Sequence, residues 1–280
     1  MPHHETFHDT HDGKKLYLQA WEPEGAKKGA ILLVHGLAEH SGRYAHLAAY
    51  LNQQGFAVYS FDGRGHGKSA LPKPNAYFSS MDDYLRDVDA LFKKMQGYVQ
   101  DVPCFLMGFS MGGGILTQYA LTYRPDAKGF ILSAPALLPG DDISPFLIKI
   151  SKVASSLVPR LKAVKLDGSH LSHDPNVMKE YDNDPLVYRG GIPARTGAEI
   201  INMMDDIQEN VQHFDYPVLI MHGTKDYLTN VDGSKMLYEK AKTKDKTLNL
   251  YEGFYHELIN EVEKEKVMAD IVDWLNARLA

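Results

Sequence analysis

Short apolar runs that stop at or beside glycine or proline recur along the chain: KKLYLQAWEP, GAILLVHG, FAVYSFDGRG, PCFLMGFS, GFILSAP, YPVLIMHG and KTLNLYEG. Such runs, bounded by turn residues, read as strands. Between them apolar residues fall at helical spacing over 44–54, 81–96, 113–123, 233–242 and 264–279. Strands that are apolar on both faces and alternate with helices must be covered on both sides, which a mostly parallel sheet flanked by helices achieves. The expected fold class is α/β. One segment breaks the rhythm: from Pro139 to Asp206 no strand is expected, and ISPFLIKISKVASSLVP is followed by the turn-rich LDGSHLSHDPN. The expected organisation is a core of residues 1–138 and 207–280 with a helical cap, or lid, inserted at 139–206.

At 280 residues and 44% hydrophobic, the chain can bury a large core. Its longest apolar runs, such as AILLV, fall far short of the roughly 20 residues that cross a bilayer. The N-terminus MPHHETFHDTHDGKK has no apolar signal region, so a cytoplasmic location is expected. Cys104 is the only cysteine and lies in an apolar strand, which predicts a buried, inert thiol. A net charge of -6 with scattered Lys and Arg gives no footprint for nucleic acid.

The run PCFLMGFS ends in Gly108-Phe109-Ser110-Met111-Gly112, a G-x-S-x-G at a strand-to-helix junction. Ligands of parallel sheets bind beyond the carboxyl ends of the strands, where Ser110 would sit. In a nucleophile elbow the small flanking residues permit a sharp turn, and the following helix points its positive end at the serine. The Met111 N–H is then the first oxyanion donor. A serine that only caps a helix is the competing reading. The partners decide between them, because serine needs a base and the base needs an orienting carboxylate. Asp226 follows the strand PVLIMHG and His256 follows TLNLYEG, in the order Ser, acid, His on three strand ends. Asp205 and Asp206 precede their strand, and Glu252 lies too close to the histidine's own strand.

Other histidines have plainer readings. His3, His4, His8 and His11 sit in a segment expected to be exposed. His222 at a strand end satisfies a neighbouring partner, and His170 and His173 pack loops of the cap. His35 opens HGLAEHSGRY, where the Leu37 N–H is placed as the second oxyanion donor. His66 comes too early in the chain to be the base, so Asp62, Arg64 and His66 are expected to form a hydrogen-bonded loop under the site. In the cap, Ile143, Phe146, Leu147, Ile150, Val153 and Leu157 share helical spacing. That stripe either packs on the body or edges a lid whose Leu147 and Ile150 line an acyl site or touch lipid.

The stretches HGLAEHSGRY, SFDGRGHGKS, GFSMGG, LSHDPNVMKEYDNDPLVY, HGTKDYLTN and DKTLNLYEGFYHEL resemble the α/β-hydrolases, and within them the monoacylglycerol lipases and lysophospholipases, over nearly the whole length. The resemblance implies the α/β-hydrolase fold, a triad of Ser110, Asp226 and His256, oxyanion donors at Leu37 and Met111, and Glu39, Arg43 and Tyr181 near the alcohol end of the substrate. A Glu39–Arg43 pair four residues apart equally reads as support for a helix start. Two positions depart from the family pattern: Phe109 stands where His is frequent, and Ala38 where Gly is. Phe109 points to a more apolar alcohol pocket.

The reading is a serine esterase acting on monoacylglycerol-like lipid esters through an acyl-enzyme, with no metal or organic cofactor and with transient membrane-surface contact through the cap. A lysophospholipase or short-chain carboxylesterase uses the same machinery. An aminopeptidase would want an acidic group in the cap for a free amine, and a non-catalytic ligand receptor would lack a triad member.

Overall fold

Along the strand Gly29–Val34, Ala30, Leu32 and Val34 enter one apolar cluster while Ile31 and Leu33 enter another. This period of two is what a strand covered on both faces requires. In the computed structural model, which describes residues 2–139, 155–165 and 168–279, the strand lies inside an eight-stranded sheet. In chain order the strands are β1 (His3–Asp9), β2 (Lys15–Trp21), β3 (Gly29–Val34), β4 (Phe56–Phe61), β5 (Cys104–Phe109), β6 (Gly129–Ser133), β7 (Lys162–Lys165), β8 (Gly191–Pro193), β9 (Val218–Gly223) and β10 (Lys246–Tyr251). The large sheet has the order β1-β2-β4-β3-β5-β6-β9-β10. It is parallel from β4 to β10, with β1 and β2 added antiparallel.

Among the described residues the main helices are α1 (Ala45–Gln53), α2 (Met81–Val99), α3 (Met111–Tyr123), α4 (Pro175–Asn183), α5 (Ala194–Asn210), α6 (Val231–Lys240) and α7 (Lys264–Asn276). Helices α1 and α7 contribute Leu47, Leu51, Val267 and Ile271 to the cluster on one face. Helices α2, α3 and α5 supply the other, with Val88, Phe92, Ile115, Met203 and Ile207. The start of α2 follows from Ser80, whose side chain accepts the Asp83 N–H at 3.3 Å, and from Asp82 and Asp83 in the first turn. Cys104 is buried, and burial pushes its thiol up to about 11.

From β3 the chain moves outward to β4, then returns to place β5 on the opposite side of β3. The strand order therefore reverses between β3 and β5. The two connections leaving those carboxyl ends diverge and open a crevice, the position where a doubly wound sheet binds its ligand.

Three features differ from the sequence expectations. Of the N-terminal histidines, His11 lies in a turn, whereas His3, His4 and His8 belong to the strand before it, β1, paired with β2 from His3 to Asp9. Its polar composition concealed it, because an edge strand with solvated faces carries no apolar signature. The inserted segment contains strands after all: β7 and β8 pair antiparallel, and each is too short to show periodicity. Helix α5 runs unbroken through Asp206, the expected end of the insertion, and its Met203, Met204 and Ile207 are core residues.

Candidate active site

Ser110 leaves β5 with φ 51° and ψ -120°, a left-handed backbone that a non-glycine residue adopts only under strain. The turn is held from both sides. Its N–H donates to Ser133 O at 3.0 Å, and its carbonyl accepts from Ala136 N at 3.0 Å and Gly114 N at 3.2 Å. A Cβ on Gly108 would lie 2.5 Å from Gly112 O, and one on Gly112 would lie 2.2 Å from Val34 O and 2.6 Å from His35 O. Only glycine permits this approach of helix to strand. Helix α3 consequently begins at Met111, directly after the serine, rather than at Gly113.

Asp226 and His256 lie on the loops after β9 and β10. His256 Nδ1–H donates to Asp226 Oδ2 at 2.7 Å. Asp226 also accepts from Leu228 N at 2.7 Å, Thr229 N at 3.0 Å, Thr229 Oγ1 at 2.7 Å and His222 Nε2 at 3.2 Å. Burial opposes ionisation of this carboxyl, but the charge of His256 and the hydrogen bonds from His222 and His256 prevail and hold it well below the usual carboxylate range. Burial likewise lowers the His256 pKa, yet the neighbouring Asp226 carboxylate outweighs it, aided by Glu257 and Glu39, and the net shift is upward.

The loop after β3 carries Leu37. Glu39 Oε1 accepts the Gly36 N–H at 2.6 Å, and Ala38, with φ 68°, offers its carbonyl to Tyr188 N at 2.8 Å. The inserted segment is thereby tied to this loop, and again where His40 Nε2–H donates to Asp184 Oδ2 at 2.7 Å.

These loops enclose one cavity of about 230 Å³, onto which Ser110, His256, Leu37, Met111 and Phe109 all open. One wall is a stripe of α5, formed by Ala194, Gly197, Ile200, Ile201 and Met204. At 1.5 Å per residue this stripe is about 15 Å long. Another part of the lining is polar and self-bonded. Arg43 donates to Glu39 at 2.8 Å and to both oxygens of Glu257 at 2.6 and 2.7 Å, and its guanidinium lies 4.9 Å from the Tyr181 ring centroid. Tyr44 donates to Glu39, and Asn260 to Glu257. Phe109 packs against Tyr44 with centroids 4.5 Å apart and ring planes tilted by 46°.

The structure thus brings Ser110, Asp226, His256, Leu37, Met111, Glu39, Arg43, Phe109 and Tyr181 to one place. Leu147 and Ile150, with the rest of their stripe through Val153, lie outside the described residues. The loop Asp62, Arg64 and His66 is hydrogen-bonded, but not as one unit. Asp62 receives Ser41 N at 2.8 Å and Lys68 N at 2.7 Å, whereas Arg64 reaches away to Asp12 at 2.8 Å and Asp87 at 2.5 Å. His66 donates to Arg64 O at 2.8 Å and burial drives its pKa down to about 3, so it is a neutral scaffold. Sequence reading missed Glu257, Asn260, Tyr44 and the α5 stripe. The i, i+3, i+7 spacing of Ala194, Gly197 and Ile201 was visible, but nothing in it marks a cavity wall. Among the described residues no group of three or more His, Cys, Asp or Glu is placed to hold a metal ion.

The sequence profile of a hydrolase family described as serine aminopeptidase, S33, matches residues 25–263. A monoacylglycerol lipase of Mycolicibacterium smegmatis is 33% identical over 267 residues, 95% of each chain. Human monoglyceride lipase is 32% identical over 272 residues, 96% of this chain and 89% of that one. The crystal structure of a Paleococcus ferrophilus monoacylglycerol lipase superposes with a TM-score of 0.84 at 33% identity, covering 94% of this chain and 99% of that one.

Proposed function

Because the chain belongs to the hydrolase family described as serine aminopeptidase, S33, and is about one-third identical to monoacylglycerol lipases over nearly its whole length, we propose that it hydrolyses monoacylglycerols to fatty acid and glycerol through an acyl-enzyme on Ser110. The observation that carries this reading is the single cavity in which a strained serine and a carboxylate-held histidine face both an apolar helix stripe and a hydrogen-bonding cluster. An ester with one long chain and one polyhydric alcohol has those two halves.

In the proposed reaction His256 takes the Ser110 proton as Oγ attacks the ester carbonyl, and the carbonyl oxygen becomes an oxyanion held by the N–H groups of Leu37 and Met111. Asp226 fixes the imidazole tautomer, since its contact with Nδ1 leaves Nε2 to act as the base. Imidazolium then protonates the leaving glycerol, and water repeats the cycle on the acyl-enzyme. Glu39, Arg43 and Tyr181 lie on the alcohol side and the α5 stripe on the acyl side.

Residues 139–206 serve as the cap in this reading. Their described part bears Leu157, Val158 and Leu161, exposed by 78%, 48% and 53%, beside Arg160 and Lys162. Exposed apolar side chains among cations favour transient docking on an anionic lipid surface, from which the substrate is drawn. Among the described residues no helix is long and apolar enough to cross a membrane.

The test is a hydrolysis panel of monoacylglycerols, lysophospholipids, simple esters and aminoacyl amides, with fluorophosphonate labelling of Ser110 in parallel. Monoacylglycerols should give the highest kcat/KM. Faster cleavage of aminoacyl amides would overturn the proposal, and absence of labelling would mark a binding protein.

A further inference from the structure

An arginine at the alcohol end would by itself invite a phosphate, since a guanidinium fork matches phosphate oxygens. The structure removes that option. Glu257, the residue after the candidate base, takes Arg43 in a two-pronged pair at 2.6 and 2.7 Å, while Glu39 takes the same guanidinium from another side at 2.8 Å. The three side chains are about nine-tenths shielded, with exposures of 11% for Arg43, 10% for Glu39 and 12% for Glu257. All three line the cavity. Two carboxylates on one guanidinium leave one negative charge in excess. No carboxylate oxygen is left without a donor: Glu39 Oε1 receives Gly36 N and Tyr44 Oη, Glu39 Oε2 receives Arg43, Glu257 Oε1 receives Arg43, and Glu257 Oε2 receives Arg43 and Asn260 Nδ2.

We infer that Glu257 sets the head-group choice of this site: by neutralising Arg43 and leaving the cluster negative, it admits uncharged alcohols and rejects alcohols that carry phosphate. The inference rests on the esterase reading above and narrows it, separating the glycerol ester from the lysophospholipid that the same triad could cleave.

The experiment compares butyrate esters of one small alcohol differing only in charge: ethylene glycol monobutyrate, its phosphate monoester and the bulkier methyl phosphate diester. In the unmutated protein the monoester should have a kcat/KM lower than the neutral ester by roughly tenfold or more, as expected for like charges several ångströms apart in a partly buried site. The diester, larger but with less charge, should fall between the two. If the diester is worse than the monoester, exclusion is by size and the inference fails. Equal turnover of all three also overturns it. Glu257→Gln, checked for an unshifted melting temperature, should narrow the gap about tenfold and Arg43→Gln should widen it, by the same Coulomb argument; an unchanged gap in a folded Glu257→Gln variant refutes the assignment. Glycerol monobutyrate and a long-chain monoacylglycerol run alongside. If these are not cleaved while the glycol esters are, the monoacylglycerol reading fails and the charge series still reports on Glu257.

Discussion

His222 Nε2 lies 3.2 Å from Asp226 Oδ2, so the carboxylate that orients His256 is itself held by a second imidazole. Both side chains are fully buried, and Ser234 Oγ, 2.7 Å from His222 Nδ1, fixes the far side of the ring. With Ser234 donating to Nδ1, the proton of His222 sits on Nε2 and points at the acid. The residue that sequence reading treated as merely satisfied is thus a positioning residue in the proposed mechanism.

Replacing His222 by Phe deletes one of the donors to a buried charge, an interaction worth about 1.5–3 kcal/mol. Steady-state kinetics should show kcat lowered at least about tenfold with little change in KM, since His222 does not line the cavity. His222→Gln, which can still donate, should recover much of the loss. A fall in KM-dependent binding alone would contradict the role.

Ser110→Ala should reduce kcat by about 10⁶, and Asp226→Asn by about 10⁴, the scale found when a triad nucleophile is lost or an imidazole is held in the wrong tautomer. Near-normal turnover by a folded Asp226→Asn protein would move the acid elsewhere.

The raised pKa of His256 sets the pH response. The base must be neutral, so kcat/KM should fall as pH drops through a midpoint above the ordinary histidine value of about 6.5. The sign for stability is opposite. A folded-state pKa above the unfolded one makes the protonated ring stabilising at low pH, a contribution lost as pH rises through the folded value. Melting temperature and kcat/KM should therefore run in opposite directions across that window. Asp226→Asn should bring the midpoint down.

Ile201→Trp tests the acyl wall by filling it. Each CH₂ buried is worth about 0.8 kcal/mol, so kcat/KM should climb with chain length while the cavity has room. In the Trp variant the climb should stop at shorter chains, with acetate esters affected least. A chain-length profile identical to that of the unmutated protein would remove α5 from the acyl site.

Arg64→Ala addresses the framework. The guanidinium, 3% exposed, joins Asp87 on α2 to Asp12 in the β1–β2 turn. Its removal strands the buried Asp87 carboxylate and should cost about 3–5 kcal/mol, read as a lower denaturation midpoint. Arg64 does not line the cavity, so turnover by the folded fraction should change little.

What the sequence disclosed follows from how much each feature depends on distant parts of the chain. Strands buried on both faces, as β3, β5 and β9 are, must be apolar throughout, and Ser110 and Asp226 follow two of them. His256 follows β10, an edge strand buried only at Tyr251 but still marked by Leu248 and Leu250. The order of the three along the chain was enough to single them out as candidates. Strand β1 was hidden because an edge carries polar residues, and β7 and β8 because they are short. Glu257 was hidden for a different reason. Its meaning lies in Arg43, more than two hundred residues earlier, and only folding reveals that the two cancel. The same holds for α5, whose stripe looks like any core-facing face until the empty space beside it is known.

The contact of Gly112 with the carbonyls of Val34 and His35 welds the turn bearing Ser110 to the strand that leads to Leu37. The proposed nucleophile and oxyanion donors are then parts of one rigid casting, ordered when the sheet forms and not when a ligand arrives. In the proposed reading selectivity resides largely on α5 and on Glu257 in the loop after β10, where it meets Arg43. A change of clientele in this scaffold can accordingly proceed by exchanging single side chains on those two elements, leaving the reactive centre untouched.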